Sequence, residues 1–189
     1  MNTQQPLPRE LESTHYIRFQ DCDPFGHLNN ARYINYFMNA REDQIARHYG
    51  FSIFAVAQEQ QKNWVVTRNQ IAYLAPVGIM EEVRIITRLI RATDNILLVE
   101  GVMVDAARKR VKAVSWMEFT FVSLVNGRPI RHTDEMMELF RAVVLDEAET
   151  AEGFEPRVQA LKAFYRRQHQ QENGTPRTSV LPKTAESQV

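Results

Sequence analysis

Apolar positions along this chain repeat with two periods, and the switch between them marks out the elements. Over residues 15–20, Ile17 and Phe19 alternate with Tyr16, Arg18 and Gln20, as in a short strand. Residues 31–49 contain neither Gly nor Pro, and Ile34, Phe37, Met38, Arg41 and Ile45 recur at helical spacing until Gly50 offers a C-terminal stop. Tyr33, Tyr36, Ala40 and Ala46 widen the apolar surface of this helix beyond a single stripe, which places it against a curved sheet. After a short apolar stretch at 51–57, Val, Ile, Thr and aromatic residues dominate four segments, 64–73, 82–91, 96–105 and 110–124. Pro76-Val77-Gly78, Asp94-Asn95 and residues 106–109 separate them at hairpin length, so they read as an antiparallel meander. Asn126-Gly127 closes the strand-rich region, and Thr133 caps a predicted helix over 134–143 whose first turn carries Asp134 and Glu135.

Composition changes after Asp146. A helix is predicted over 156–169 from the spacing of Val158, Leu161, Ala163 and Phe164, whereas residues 170–189 lack the apolar side chains that would offset ordering entropy. The expected organisation is an N-terminal extension at 1–13, one domain at 14–146, a helical appendage at 147–169 and a disordered tail at 170–189. Basic and acidic residues number 23 each, so net charge gives no reason to expect nucleic acid, an anionic membrane or a polyanionic substrate. The opening residues show no basic stretch leading into an apolar one, and the longest apolar runs, such as 96–99, fall far short of the roughly 20 residues a membrane span needs. The lone Cys22 excludes an intramolecular disulfide and suits a reducing compartment, which makes the cytoplasm the expected location. The five His residues are scattered without ligand spacing, and no Gly-rich turn joins a strand to a helix, so neither metal nor cofactor is expected.

The candidate chemistry lies between the first strand and the long helix, in Asp21-Cys22-Asp23-Pro24-Phe25-Gly26-His27-Leu28-Asn29-Asn30. Alone, the first six residues are turn chemistry. Extended through Ala31-Arg32-Tyr33, the segment resembles the active-site segment of the 4-hydroxybenzoyl-CoA thioesterase family. Its His-Leu-Asn-Asn form is similar to that of the bacterial long-chain acyl-CoA and plant acyl-carrier-protein thioesterases. The likeness runs from about residue 15 to 125, and Tyr73-Leu74-Ala75-Pro76 resembles the family's strand end before its next hairpin.

This resemblance implies an α+β hotdog fold, an antiparallel sheet wrapped around one long central helix, here with an added C-terminal helix. It implies an acyl-CoA thioesterase in which Asp23 is nucleophile or general base and His27 assists. Asp21, Asn29, Asn30, Ala31 and Tyr33 then form the supporting loop and helix N-terminus. Family sites lie between subunits and one sheet leaves an open edge, so a homodimer or homotetramer is expected. The His-Leu-Asn-Asn form favours medium- to long-chain fatty acyl-CoA. Phe25 stands where the plant enzymes place an Asn, so an Asn-assisted mechanism is not carried over.

Thioester hydrolysis needs an attacking oxygen, donors for the developing oxyanion, and a pocket that excludes bulk water. Asp23 supplies the oxygen, by direct attack or by activating water. Helix N–H groups near residues 30–33 are placed to polarise the carbonyl, with Asn29 or Asn30 as cap. Asp21 reads as a loop-ordering residue and Cys22 as a small buried filler. His27 is open between fixing the loop and orienting water or substrate. Tyr33, Tyr36, Phe37 and Met38 are core residues or the wall of an acyl tunnel. Arg68, Arg88, Arg91, Arg108, Lys109 and Arg110 either face solvent or hold coenzyme A phosphates. Two other readings remain. One is a hotdog enoyl-thioester hydratase, although such loops carry one more residue than the Pro24-Phe25-Gly26 enclosed here; the other is a non-catalytic acyl-thioester binding protein.

Overall fold

The chain enters its sheet earlier than the alternation at 15–20 predicts. In the structure, a computed structural model that describes residues 6–145 and 152–174, β1 runs Glu10–Tyr16 and pairs antiparallel with β3 (Glu82–Ala92). Residues 10–13, set aside as an extension, are therefore sheet, while Phe19–Asp21 forms a 3-10 turn. The polar positions of β1 explain the shift. Glu10 pairs with Arg88 and Glu12 with Arg84 on the neighbouring strand, partnerships to which a count of apolar positions is blind.

The long helix α1 (Tyr33–Tyr49) follows, ending where Gly50 takes a left-handed conformation (φ 63°) and its N–H bonds Ile45 O. Ser52 caps α2 (Ile53–Gln60) through Ala55 N–H at 3.1 Å. β2 (Lys62–Tyr73), β4 (Ile96–Asp105) and β5 (Val111–Ser123) complete five antiparallel strands in the order β1-β3-β4-β5-β2. Thr133 caps α3 (Asp134–Val143) through Met136 N–H at 3.2 Å, as predicted. The last helix, α4 (Phe154–Gly174), is longer than the predicted 156–169 and takes in residues 170–174, assigned above to a disordered tail. The rest of that tail and residues 147–151 lie outside the described residues. No described helix is long and apolar enough to cross a membrane.

β3 and β4 read as nearly unbroken apolar runs because both faces of the sheet are covered. On the inner face Val83, Ile85, Leu89, Val99, Met103 and Met117 pack with Tyr33, Phe37 and Ala40 of α1. Phe37, fully buried, lies so close to Gly101 that a Cβ there would sit 2.5 Å from its ring, so only glycine admits the contact. On the outer face Ile86, Ile90, Val102, Val104 and Val114 pack against Phe154, Val158, Leu161 and Tyr165 of α4. Each such side chain contributes about 1.5–3 kcal/mol when fully buried. The helix expected as an appendage thus closes the second half of the core. The wide apolar surface predicted for α1 is covered on one side only, for Ala46 is exposed and Met38 is 37 % exposed.

A row of directly opposed residues crosses the outer face: Glu10, Arg88, Glu100 and Trp116 on β1, β3, β4 and β5. Glu100 is fully buried and accepts from Arg88 Nη1 (2.7 Å), Trp116 Nε1 (3.1 Å), and Arg157 of α4 at both oxygens (2.9 and 3.0 Å). Burial alone would push this carboxyl up, but these donors outweigh it and hold Glu100 below the usual carboxylate range. Ion pairs also engage three of the basic residues considered for coenzyme A phosphates, one of them buried and two half exposed. Arg88 is buried against Glu100 and Glu10, Arg91 pairs with Glu118, and Arg108 with Glu12.

Candidate active site

Pro24 and the positive φ of Gly26 (76°) turn the chain sharply after Asp23, and the carboxylate of Asp23 closes that turn. Its Oδ1 accepts the N–H of Phe25 at 2.9 Å and of His27 at 3.2 Å, while Asp23 N–H donates to His27 O at 2.8 Å. Asp23 Oδ2 has no hydrogen-bond partner among the described residues. The loop is clamped from outside by the segment after β2: Leu28 N–H donates to Val77 O, Ile79 N–H to Gly26 O, and His27 bridges Gly78. Lys112 holds that segment in turn, donating to Pro76 O at 3.0 Å and pairing with Glu81 at 2.6 Å. Nothing in the spacing of the sequence pointed to Lys112 or Glu81.

Asp23, His27, Asn30 and Tyr33 come together around an open pocket of about 310 Å³. Its other wall is Leu28 with Tyr73, Leu74, Ala75 and Pro76, the strand end whose family likeness was the only sequence signal for it. Tyr73 bonds Asn30 O at 3.0 Å, and its ring meets Tyr33 edge-on at 5.1 Å. Burial pushes the Tyr33 phenol up to about 12, so near neutral pH it is an uncharged hydroxyl. The His27 ring makes no hydrogen bond among the described residues; the backbone of His27, not its imidazole, fixes the loop. That leaves the ring available to water or a ligand in the pocket.

The remaining candidates serve the frame. Asp21 faces away, its Oδ2 accepting from Tyr36 OH at 2.9 Å and its Oδ1 lying 3.7 Å from Arg32 Nε. Asn29 Oδ1 caps the helix entrance by accepting from Ala31 N–H at 2.9 Å. Because the helix enters through a 3-10 turn, Asn30–Arg32, the Arg32 N–H is also taken, by Asn29 O. Of the amides expected to be free at the helix start, Asn30 N–H has no acceptor among the described residues, and Asn30 lines the pocket. Burial, reinforced by the carboxylates of Asp23 and Asp21, pushes the Cys22 thiol up, and its Sγ donates to Arg18 O at 3.5 Å. A protonated thiol is a weak nucleophile. The four side chains read as core or tunnel wall are divided: Tyr33 lines the pocket, Tyr36 is bonded to Asp21, Phe37 fills the core and Met38 is exposed.

Residues 17–147 match the thioesterase-like superfamily. The Bacillus subtilis protein YsmA is 28 % identical over 127 residues, covering 59 % of this chain and 83 % of its own length. Among solved structures, Slr0204 of Synechocystis, a 1,4-dihydroxy-2-naphthoyl-CoA thioesterase, superposes with a TM-score of 0.63 at 10 % identity, covering 71 % of this chain and 95 % of its own. The DHNA-CoA thioesterase of Staphylococcus aureus does so with a TM-score of 0.60 at 17 % identity, covering 88 % of this chain and 96 % of its own.

Proposed function

Since the chain belongs to the thioesterase-like superfamily, we propose that it is an acyl-CoA thioester hydrolase in which Asp23 either attacks the thioester carbonyl or activates the water that does. The observation that carries this reading is the Asp23 carboxylate, with one oxygen anchoring the loop and the other unpartnered, beside a pocket that also holds Asn30. In the direct route an acyl–Oδ2 bond forms, the C–S bond breaks, coenzyme A leaves and water then cleaves the mixed anhydride. In the general-base route Oδ2 takes a proton from water as the water oxygen attacks the same carbon. Asn30 N–H is the donor placed for the carbonyl oxygen, and the His27 ring is the group placed to hold water or pass the proton to the departing sulfur.

The His-Leu-Asn-Asn segment and the apolar wall of Leu28, Leu74, Ala75 and Pro76 support a medium- to long-chain fatty acyl group. A thiol-release panel from acetyl-CoA to palmitoyl-CoA, with 4-hydroxybenzoyl-CoA and crotonyl-CoA added, tests the proposal. Specificity is expected to rise along the aliphatic series, each buried methylene adding about 0.8 kcal/mol, and then level off. Preference for the aromatic ester with no aliphatic gain would reassign the acyl group. Hydration of crotonyl-CoA without thiol release would instead make the protein a hydratase, and binding without either reaction a carrier.

The working unit is proposed to be a homodimer. β1 and β2 are the sheet edges, and β2 offers 12 residues of open edge backbone. Phe25, 84 % exposed on the site loop, is the kind of side chain a second subunit would cover. Light scattering at micromolar concentration is expected to give at least twice the chain mass; a fully active monomer would rule the dimer out.

A further inference from the structure

A second hollow, of about 70 Å³, lies toward the other end of α1, walled by Ile45, Tyr49, Phe51, Trp64 and Phe140. Among the described residues, Arg41 is the only charged one lining it. It stands eight residues beyond Tyr33, about 12 Å along the helix, and the fully buried Phe37 lies between them on the same face. The hollow is therefore separate from the pocket at Asp23.

The surroundings of Arg41 are neutral. Its Nη1 donates to Thr87 Oγ1 at 3.2 Å and its guanidinium carbon lies 5.9 Å from the centre of the Tyr49 ring. Thr87 passes the chain of bonds to Gln44 Oε1 at 2.5 Å, and Gln44 donates to Ser13 Oγ and Ile85 O. Among the described residues no carboxylate pairs with Arg41, whereas Arg88, Arg91, Arg108, Arg131 and Arg157 each have one. Burial pulls its pKa below the ordinary guanidinium value, yet an arginine does not give up its proton in a protein. A full positive charge, half-buried and with donor capacity beyond its bond to Thr87, thus stands at the edge of an apolar hollow, where an entering anion would meet it.

We infer that this hollow binds a carboxylate carried on a short apolar body, its oxygens seated on the Arg41 fork. A planar guanidinium matches a carboxylate in two parallel hydrogen bonds, and among the described residues the wall holds no second cation to balance a phosphate. The space is about half of the ~150 Å³ that accepts benzene, so it fits a small acid or the tip of a longer one. A free acid is the class of product that thioester hydrolysis releases, a link that rests on the function proposed above. The distal carboxylate of a dicarboxylic acyl thioester has the same chemistry.

Calorimetry with butyrate and hexanoate, against 1-butanol and 1-hexanol, tests this on the full chain without any turnover. Wild type is expected to bind the acids more tightly than the alcohols, and Arg41→Gln to weaken acid binding by about 10- to 100-fold, the range of a charge-assisted hydrogen bond. Arg41→Met is expected to melt no lower than wild type and to lose the upward shift of melting temperature that hexanoate produces. Equal binding of acid and alcohol, undiminished acid binding in Arg41→Gln, or a marked fall in the melting temperature of Arg41→Met each overturns the inference, the last by making Arg41 structural. Comparing suberyl-CoA with octanoyl-CoA separates the sources: a preference for suberyl-CoA that Arg41→Gln abolishes assigns the carboxylate to the substrate, and equal rates assign it to the free acid. If neither ester is cleaved, the hydrolase reading fails while the calorimetry still decides the site.

Discussion

Asp23→Asn is expected to lower kcat by about 10²- to 10⁴-fold, the usual contribution of a positioned acid–base group, with little change in melting temperature. The substitution is a clean probe because Oδ1 of an asparagine still accepts from Phe25 and His27 N–H, so the turn survives. What is lost is the charge and basicity of the unpartnered oxygen. Asp21→Asn, at a side chain that bonds Tyr36 and lies near Arg32 behind the loop, is expected to cost much less. Near-normal turnover by Asp23→Asn in a thiol-release assay, measured on protein that melts like wild type, would remove Asp23 from the chemistry.

The second large effect concerns stability. Glu100→Gln replaces the buried carboxylate between Arg88 and Arg157 by an amide that carries no balancing charge, although Arg88 keeps Glu10. Removing one partner of a buried ion pair costs about 3–5 kcal/mol, here a fall in melting temperature of roughly 10 °C. The pH dependence follows from the same carboxyl. Its folded pKa lies below the unfolded value near ~4.3, so its contribution is complete above that value and is lost as pH falls through the folded pKa. Wild type is therefore expected to lose stability steeply in acid, and Glu100→Gln to lose less there because it has already lost the charge. Matching melting curves for the two proteins at pH 7 would show that the row contributes nothing. Replacing Glu100, Arg88 and Arg157 together by apolar residues is expected to recover part of the loss, since the buried charges of the row then go together and Glu10, which loses Arg88, is half exposed to water.

Much of this architecture can be read from the sequence, and the gaps have physical causes. The helix from Tyr33, its stop at Gly50, the Thr133 cap and four of the five strands follow local rules, because turn residues and apolar period act over a few positions. β1 was displaced because its polar half is held by arginines some 70 residues away in the chain, information no local window contains. The role of α4 was hidden for the same reason: Val158 and Leu161 look alike whether they cover a core or a surface, and only the matching outer face of β3, β4 and β5 distinguishes them. At the candidate site, Asp23, His27, Asn30 and Tyr33 were legible because one short motif carries them. Tyr73, Glu81 and Lys112 come from strands brought in by pairing, and Arg41 was counted only as one position of a helical stripe.

The position of α4 after all five strands in chain order also sets an order of events during synthesis. Ribosomes deliver the N-terminal part first, so the five strands exist before the helix that covers their outer face. Until Phe154, Val158 and Leu161 emerge, Ile86, Val102, Val104 and Val114 face water, and Glu100 has Arg88 but not Arg157. The nascent sheet is thus sticky on one side for the time it takes to make α4. In the cell, that interval, more than the finished molecule, is when a chaperone has something to hold.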